Sequence, residues 1–184
     1  MKLINTIKYL SGKRALKKER EPVRNRKGCN FNSADRVAIL YRDQDESFFK
    51  KVKAYAKYLK EQFGIKSVHA LAFVDQTIKK LPVYQSRKLE FDFFSREDLN
   101  WQMRPIHNVK NFLDQEFDIL LDLSGGDIVP LNFVLKESKA GMKVGLKHSR
   151  SEKFCDLTID MGAQTGLDKF IDQINRYLSN PNLQ

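Results

Sequence analysis

Polar residues that directly follow two apolar segments are the first candidates for chemistry in this 184-residue sequence. The segments are residues 36–41 (RVAILY) and 117–123 (FDILLDL), and both are typical of buried strands. Ligands of an open parallel sheet bind beyond the carboxyl ends of its strands, where the strand order reverses. If the two strands are neighbours, the loops after them line one crevice. The ligand-binding residues predicted there are Arg42, Asp43, Asp45, Asp122, Ser124, Gly125, Gly126 and Asp127.

The turn from Ser124 to Asp127 (SGGD) has two interpretations. Its glycine pair precedes a helix, so backbone N–H groups could approach an anion there. The turn lacks the three-glycine spacing of a dinucleotide fingerprint and the Lys-Ser/Thr of a phosphate loop, and Asp127 would repel phosphate. The residues therefore favour a plain turn. Asp122, at the end of its strand, could be a base, a metal ligand or a cap of this turn.

Histidine and cysteine form no recognisable catalytic or metal-binding pattern. His69, His107 and His148 are scattered, so their spacing assembles neither a zinc site nor a nucleophile triad. Cys29 and Cys155 stand far apart, as expected of reduced thiols in a cytosol, and Cys155 is predicted to be buried in a strand. The sequence predicts no metal and no cofactor, and it favours a protein that is not an enzyme.

The positive charge lies mostly near the N-terminus. The formal net charge is +10, and residues 1–30 hold ten Lys/Arg against two Glu, a net of +8 that leaves +2 for the rest. A basic arm on a nearly neutral body points to an anionic partner: a membrane surface, RNA or an acidic protein. The contacts predicted for that partner are Lys8, Lys13, Arg14, Lys17, Lys18, Arg20, Arg24, Arg26 and Lys27.

Residues 1–20 predict an amphipathic helix with Leu3, Ile7 and Leu10 on one stripe, which Ile4 and Leu16 widen and Ser11 and Gly12 weaken in the middle. The helix could lie on anionic lipid, neutralise the phosphates of a nucleic acid, or dock its stripe on its own domain, which is the plainest of the three. The polar residues 22–32 predict a linker. The chain is thus divided into an arm of residues 1–32 and a domain of residues 33–184.

The rest of the sequence predicts about six strands that alternate mainly with helices, a three-layer α/β sandwich around a mostly parallel sheet. Strands are predicted at 36–41, 67–74, 89–93 (near a sheet edge), 117–123, 143–146 and 154–161, and helices at 47–63, 108–116, 129–135 and from about 165. Gly64 is predicted to end the helix at 47–63. The helix at 129–135 is predicted to begin at Ser124 or Asp127 as N-cap and to stop at Gly141, and the last helix to begin with a capping box of Thr165 and Asp168. Tyr177 is predicted to face inward from the last helix.

Two further features bear on partners. The segment 94–105 (FSREDLNWQMRP) holds the only tryptophan, Trp101, which could stack on bases or sugars or, more commonly, cover the end of the sheet. No apolar run approaches the roughly 20 residues that cross a bilayer, and the apolar N-terminal residues are too interrupted for a signal peptide. We expect a cytoplasmic protein, peripheral to the inner face of the membrane if its arm binds lipid.

Three segments together resemble a family of short bacterial proteins, a domain of unknown function. They are FFSREDLNW (93–101), EFDILLDLSGGDIVPLNFVLKESKAGMKVG (116–145) and CDLTID (155–160), and the basic amphipathic start and the closing helix of the chain are part of the likeness. The resemblance extends over nearly the whole chain and implies no activity.

The series RVAILY, SVHALAFV, LEFDFF, FDILLDL and AGMKVGL, with helices between, is similar to the N-terminal half of heptosyltransferase-like glycosyltransferases. This similarity implies a Rossmann-like sheet. It also implies an alternative function: a glycosyltransferase-like enzyme, or its relic, that binds a sugar or nucleotide at the carboxyl edge. Residues 41–45 (YRDQD) replace the Leu-Gly-Asp turn of that family, and its donor-binding domain has no counterpart in 184 residues.

The function predicted first is a non-catalytic binding or adaptor module whose basic arm contacts an anionic partner. A structural protein that self-associates as a homo-oligomer is a further hypothesis.

Overall fold

The computed structural model describes residues 2–85, 90–147, 151–162 and 166–180. Its elements in chain order are α1 (Lys2–Lys18), β1 (Arg36–Arg42), α2 (Glu46–Phe63), β2 (Ser67–Val74), β3 (Phe91–Ser95), α3 (Lys110–Leu113), β4 (Ile119–Asp122), α4 (Val129–Glu137), β5 (Met142–Leu146), β6 (Leu157–Ile159) and α5 (Leu167–Leu178). Short 3-10 turns lie at Ile78–Lys80, Arg96–Asp98 and Ser151–Phe154.

The described strands form one parallel sheet in the order β3-β2-β1-β4-β5-β6. Val37 of β1 pairs with Ile119 of β4, so the neighbourhood predicted for the two apolar segments is confirmed. The predicted edge position of the third strand is also confirmed, although β3 begins at Phe91 and Leu89 lies outside the described residues. The strand order reverses between β1 and β4, which is where a parallel sheet opens a crevice.

Helices cover both faces of the sheet, because successive residues of a strand point to opposite sides. Val37, Ile39 and Tyr41 of β1 belong to the core beneath α2 and α5, whereas Ala38 and Leu40 belong to the core beneath α3 and α4. The prediction of a three-layer, Rossmann-like α/β sandwich is confirmed.

α4 is covered on two sides, which explains its almost continuous apolar run. One side lies on the sheet, and Val129 and Phe133 on the other side contact Ala15 and Leu16 of α1. The predicted boundary between an arm of 1–32 and a domain of 33–184 stays a prediction. Phe31 is fully buried and belongs to the core beneath α2, so core contacts extend across residue 32.

The ends of α2 follow the predicted capping chemistry, but those of α4 do not. Asp45 Oδ1 accepts a hydrogen bond from the Phe48 N–H at 2.8 Å, and Gly64 closes α2 with a φ of +69°. α4 begins after Ile128 without a side-chain cap and ends at Ser138. The predictions of Ser124 or Asp127 as its N-cap and Gly141 as its stop are therefore wrong. Their side chains bond differently: the Ser124 hydroxyl donates to Gly126 O within the turn, and Asp127 accepts from the side-chain amide of Asn132 in α4.

Two predictions in the last third of the chain are also wrong. Phe154 lies in a 3-10 turn, so β6 starts only at Leu157, and Cys155 lies before the strand and is only half-buried. Tyr177 is 48% exposed, because the inward face of α5 is already filled by Phe170, Ile174 and Leu178. The predicted capping box includes Thr165, which lies outside the described residues.

Candidate functional site

A polar crevice of about 700 Å³ lies at the carboxyl ends of β1, β2 and β4. Six of the eight predicted residues line it: Arg42, Asp43, Ser124, Gly125, Gly126 and Asp127. The other two have structural roles. Asp45 caps α2, and Asp122 is buried, where its Oδ1 accepts a hydrogen bond from the Ser124 N–H at 3.0 Å.

Asp43 is held at the end of β1 by two donors that the sequence did not point to. The Tyr84 hydroxyl donates to its Oδ2 at 3.0 Å, and the Gln85 amide donates to its Oδ1 at 2.9 Å. Burial raises the pKa of Asp43 above its ordinary value, and the two hydrogen bonds partly oppose that rise. The carboxylate is thus fixed in position and partly shielded from water.

The other two carboxylates of the crevice are paired with cations. Asp75 contacts Arg42 at 3.1 Å and Arg96 at 2.6 Å. Asp127 contacts Lys13 of α1 at 3.3 Å. Asp75 directly follows β2. The rule that polar residues after parallel strands line a crevice, which predicted Asp43, therefore applies to Asp75 as well. Tyr84 and Gln85 come from a connection without a pattern, and no signal marked them.

The crevice offers hydrogen-bonding groups without an activated nucleophile. Among the described residues, neither His69 nor His107 lines it, and the Ser124 hydroxyl donates to a backbone carbonyl. No group of three His, Cys, Asp or Glu within the described ranges could hold a metal ion. A neighbouring apolar cavity of about 460 Å³, which includes Phe48, Leu123 and Phe170, shares Gln44 and Gly125 with the crevice. The polar crevice and the adjoining apolar cavity are therefore suited to binding a small molecule.

The second candidate site is the outward face of α1. Ile4, Ile7 and Leu10 are 51%, 47% and 54% exposed, whereas Ala15 and Leu16 are buried against α4. Ile4, Ile7 and Leu10 of the predicted stripe therefore face solvent, whereas Leu16 packs on the domain. The hypothesis that the stripe docks on its own domain is confirmed for Leu16 and wrong for the other three residues. A different face of the helix makes that contact.

The predicted partner-binding cations have different environments. Arg14, Lys17, Lys18, Arg20 and Lys27 are exposed and form no ion pair with another described residue. Lys13 binds Asp127, Lys8 lies 5.1 Å from the Trp101 ring centroid, and Arg26 contacts Glu21 and Asp156.

Arg24 requires a correction, because its side chain is only 3% exposed. It donates to the carbonyls of Ala140 and Gly141 at 3.0 Å each and pairs with Asp156 at 2.6 Å. Arg24 therefore holds the 22–32 segment on the domain and is not available to a partner.

Trp101 lies beside α1 at the tip of a tight turn and is 56% exposed. The Met103 N–H donates to Asn100 O at 3.0 Å, and the Asn100 side chain accepts from the Gln102 and Arg104 N–H groups. Trp101 and six residues of α1 line a shallow depression: Ile7, Leu10, Ser11, Lys13, Arg14 and Lys17. The tryptophan projects into solvent and does not cover the end of the sheet.

The sheet, its covering helices and the crevice at the strand reversal define an α/β protein of the Rossmann-like class. A model of the family of unknown function DUF6913 matches residues 8–180, and the chain belongs to this family. No curated protein sequence matches the chain. None of the helices in the described ranges is long and apolar enough to cross a membrane.

Among solved structures, the chain is similar to the E. coli heptosyltransferase WaaC with ADP. The TM-score is 0.51 at 11% identity, and the match covers 81% of this chain and 48% of the heptosyltransferase chain. The chain thus spans about half the length of that protein, and the likeness shows the fold. Both resemblances predicted from the sequence are confirmed, one for the family and one for the fold.

Proposed function

We propose that this protein is a binding module whose basic N-terminal helix contacts an anionic partner. The supporting observation is that five exposed cations of the arm form no ion pair with another described residue, whereas many cations of residues 33–184 do; the five are Arg14, Lys17, Lys18, Arg20 and Lys27. Lys66 pairs with Asp35, and Lys147 pairs with Asp160. An anionic partner would supply the missing counter-charge to Arg14, Lys17 and Lys18.

Long-range attraction is expected to dominate this contact. The Debye length is about 8 Å at physiological ionic strength, so neighbouring exposed cations on one helix act together on an approaching anion. Binding should weaken steeply as salt rises, because each neutralised phosphate or headgroup releases counterions.

Retention on immobilised heparin tests the proposal. The full chain is compared with the variant Arg14→Gln/Lys17→Gln/Lys18→Gln, and the matched control Lys50→Gln/Lys53→Gln/Lys57→Gln removes the same charge from the solvent side of α2. We expect the α1 variant to elute at markedly lower salt than both the wild type and the control. Equal elution of the two triple variants would show that net charge alone acts, and would contradict the proposal.

A second candidate function is the binding of a small molecule in the crevice, as a glycosyltransferase-like relic would do. The position of the crevice at the strand reversal supports it. A thermal-shift screen with ADP, nucleotide sugars and divalent metals tests this candidate, since a ligand at 100 times its Kd stabilises by about 2.7 kcal/mol. The control variant Asp43→Asn should reduce any shift that arises in the crevice. A screen without any shift would count against this function.

A further inference from the structure

We propose that the anionic partner is the surface of a lipid bilayer, on which α1 and Trp101 dock together as one preformed face. This inference rests on the function proposed above and names its partner. The docking face is defined as Ile4, Ile7, Leu10, Arg14, Lys17, Lys18 and Trp101.

The apolar part of the docking face is the first support. Three aliphatic side chains and the only tryptophan are each about half exposed, on a helix whose other face is buried. Contiguous exposed apolar surface of this kind is typical of a binding site. A polyanion such as RNA would be recognised by cations and stacking rings, and it gives no role to Ile4, Ile7 and Leu10.

The order of side chains along α1 is the second support. Arg14 follows Leu10 by four residues and Ile7 by seven, so all three lie on the same face of the helix. The N-terminal half of the face is thus apolar and its C-terminal half is basic. Helices that lie in a membrane interface combine these two properties: the apolar residues enter the acyl boundary, and the cations remain among anionic headgroups.

Trp101 adds an interfacial anchor from a second segment of the chain. Its turn is closed by the hydrogen bonds of Asn100, and Lys8 lies over its ring. Tryptophan is enriched where membranes meet water, because its ring is apolar and its indole N–H can still reach a polar group.

The docking face does not require α1 to leave the domain. Lys136 donates to Leu16 O at 2.6 Å and to Glu19 O, and Arg104 pairs with Glu19 at 2.9 Å. These contacts hold the C-terminal end of α1 while its outward residues remain free to bind. Binding therefore avoids the entropic cost of ordering a disordered segment.

A second copy of this chain is a less suitable occupant. A symmetric dimer through this face would place Arg14, Lys17 and Lys18 near the same cations of the other copy, and like charges across an interface are unfavourable. An anionic bilayer offers both an apolar layer and opposite charge.

The fluorescence of Trp101 tests the inference, because no other tryptophan contributes to the signal. The full chain is titrated with vesicles of phosphatidylcholine containing about 30% phosphatidylglycerol, and with phosphatidylcholine vesicles alone. We expect a shift of the emission to shorter wavelength, and quenching by brominated acyl chains, with the anionic vesicles only. Co-sedimentation gives the partition coefficient.

Two variants separate the apolar and the electrostatic contributions to vesicle binding. Ile7→Ser/Leu10→Ser should lower the partition coefficient at least about 30-fold, whereas the control Ile78→Ser/Val83→Ser, which removes two exposed apolar side chains elsewhere, should leave it unchanged. Arg14→Gln/Lys17→Gln/Lys18→Gln should lower it about 100-fold. Circular dichroism checks that each variant is folded.

The possible failures are distinguishable. Binding to heparin or single-stranded RNA without binding to vesicles would overturn the bilayer inference and leave the proposed function intact. Vesicle binding that is insensitive to Ile7→Ser/Leu10→Ser, with no change in Trp101 emission, would also overturn it, since charge alone would then explain the contact. Binding to none of these anions would overturn both proposals.

Discussion

Gly12 of α1 lies directly against Val129, the first residue of α4. A Cβ atom at position 12 would be 2.7 Å from Val129 Cγ1 and would also meet the carbonyl oxygen of Gln102. Ala15 and Leu16 extend the same contact by one turn. The missing side chain at position 12 therefore allows the close approach that turns this face inward and leaves the docking face in solvent.

Gly12→Ala should destabilise the protein. Alanine favours a helix over glycine by about 1 kcal/mol, but the added methyl group overpacks the contact, which typically costs about 1–3 kcal/mol. We expect urea unfolding to show a lower free energy of unfolding. The adjacent substitution Ser11→Ala, at a half-exposed position, should be neutral or slightly stabilising. A Gly12→Ala variant more stable than Ser11→Ala would contradict the close contact.

Asp45→Ala should lower the free energy of unfolding by about 1 kcal/mol, because the first turn of α2 loses its N-cap. The Phe48 N–H would then lack the acceptor that it has at 2.8 Å. Asp45→Asn retains an oxygen acceptor and should stay close to the wild type in the same unfolding measurement. If Asp45→Ala and Asp45→Asn were equally destabilised, the loss of charge rather than of the cap would be the cause.

Lys143→Met should change how stability depends on pH. Lys143 is fully buried in β5, donates to Lys136 O at 3.1 Å, and burial, with the nearby Arg24, lowers its pKa to about 8. Above pH 8 the folded state has released a proton that the unfolded state keeps up to its ordinary pKa of about 10.5, so unfolding binds a proton. Between these two pKa values, Lys143 makes the free energy of unfolding rise with pH, by up to about 1.4 kcal/mol per pH unit. Below pH 8 both states are protonated, and Lys143 adds no slope.

The measurement is the difference in free energy of unfolding between the wild type and Lys143→Met, from pH 7 to about 9.5. We expect the difference to shift in favour of the wild type as pH rises. The control Lys66→Met removes an exposed lysine, so the effect of losing one charge is separated from the effect of burial. Parallel curves for the wild type and Lys143→Met would refute the lowered pKa.

Tyr84→Phe should raise the pKa of Asp43 further. The Tyr84 hydroxyl donates to the ionised carboxylate, and its loss leaves burial less opposed. A group with a raised pKa keeps its proton longer in the folded state, so stability falls as pH rises from the unfolded value of 3.8 through the folded one. Carbon-13 NMR titration of the carboxyl group measures this pKa, and Tyr58→Phe, at an exposed tyrosine of α2, should leave it unchanged.

Local patterns were sufficient to predict the sheet. Continuous apolar runs such as 36–41 and 117–123 can only be buried on both faces, and glycine after the amphipathic stripe of α2 marks its end. The same logic located most of the crevice, because polar residues after adjacent parallel strands must lie together. Asp75 fits that logic as well and was missed, whereas Tyr84 depends on the path of an irregular connection.

The orientation of α1 could not be read from its stripe. Periodicity shows that a helix has an apolar face but not which face is buried. Here Gly12, Ala15 and Leu16 pack inward, while Ile4, Ile7 and Leu10 stay exposed. Gly12 in the helix interior was the available signal, since a glycine there often marks a close approach. Arg24 illustrates a similar limit: its charge suggested a surface contact, but only the tertiary fold shows that it binds carbonyls and Asp156.

The backbone bond from the Phe31 N–H to Leu178 O, 2.9 Å long, joins the segment after α1 to the end of α5. Local unfolding of the segment around Phe31 therefore breaks a contact of the C-terminal end of α5. The two segments should unfold as one cooperative unit, and their amide hydrogens should exchange with solvent at matching rates.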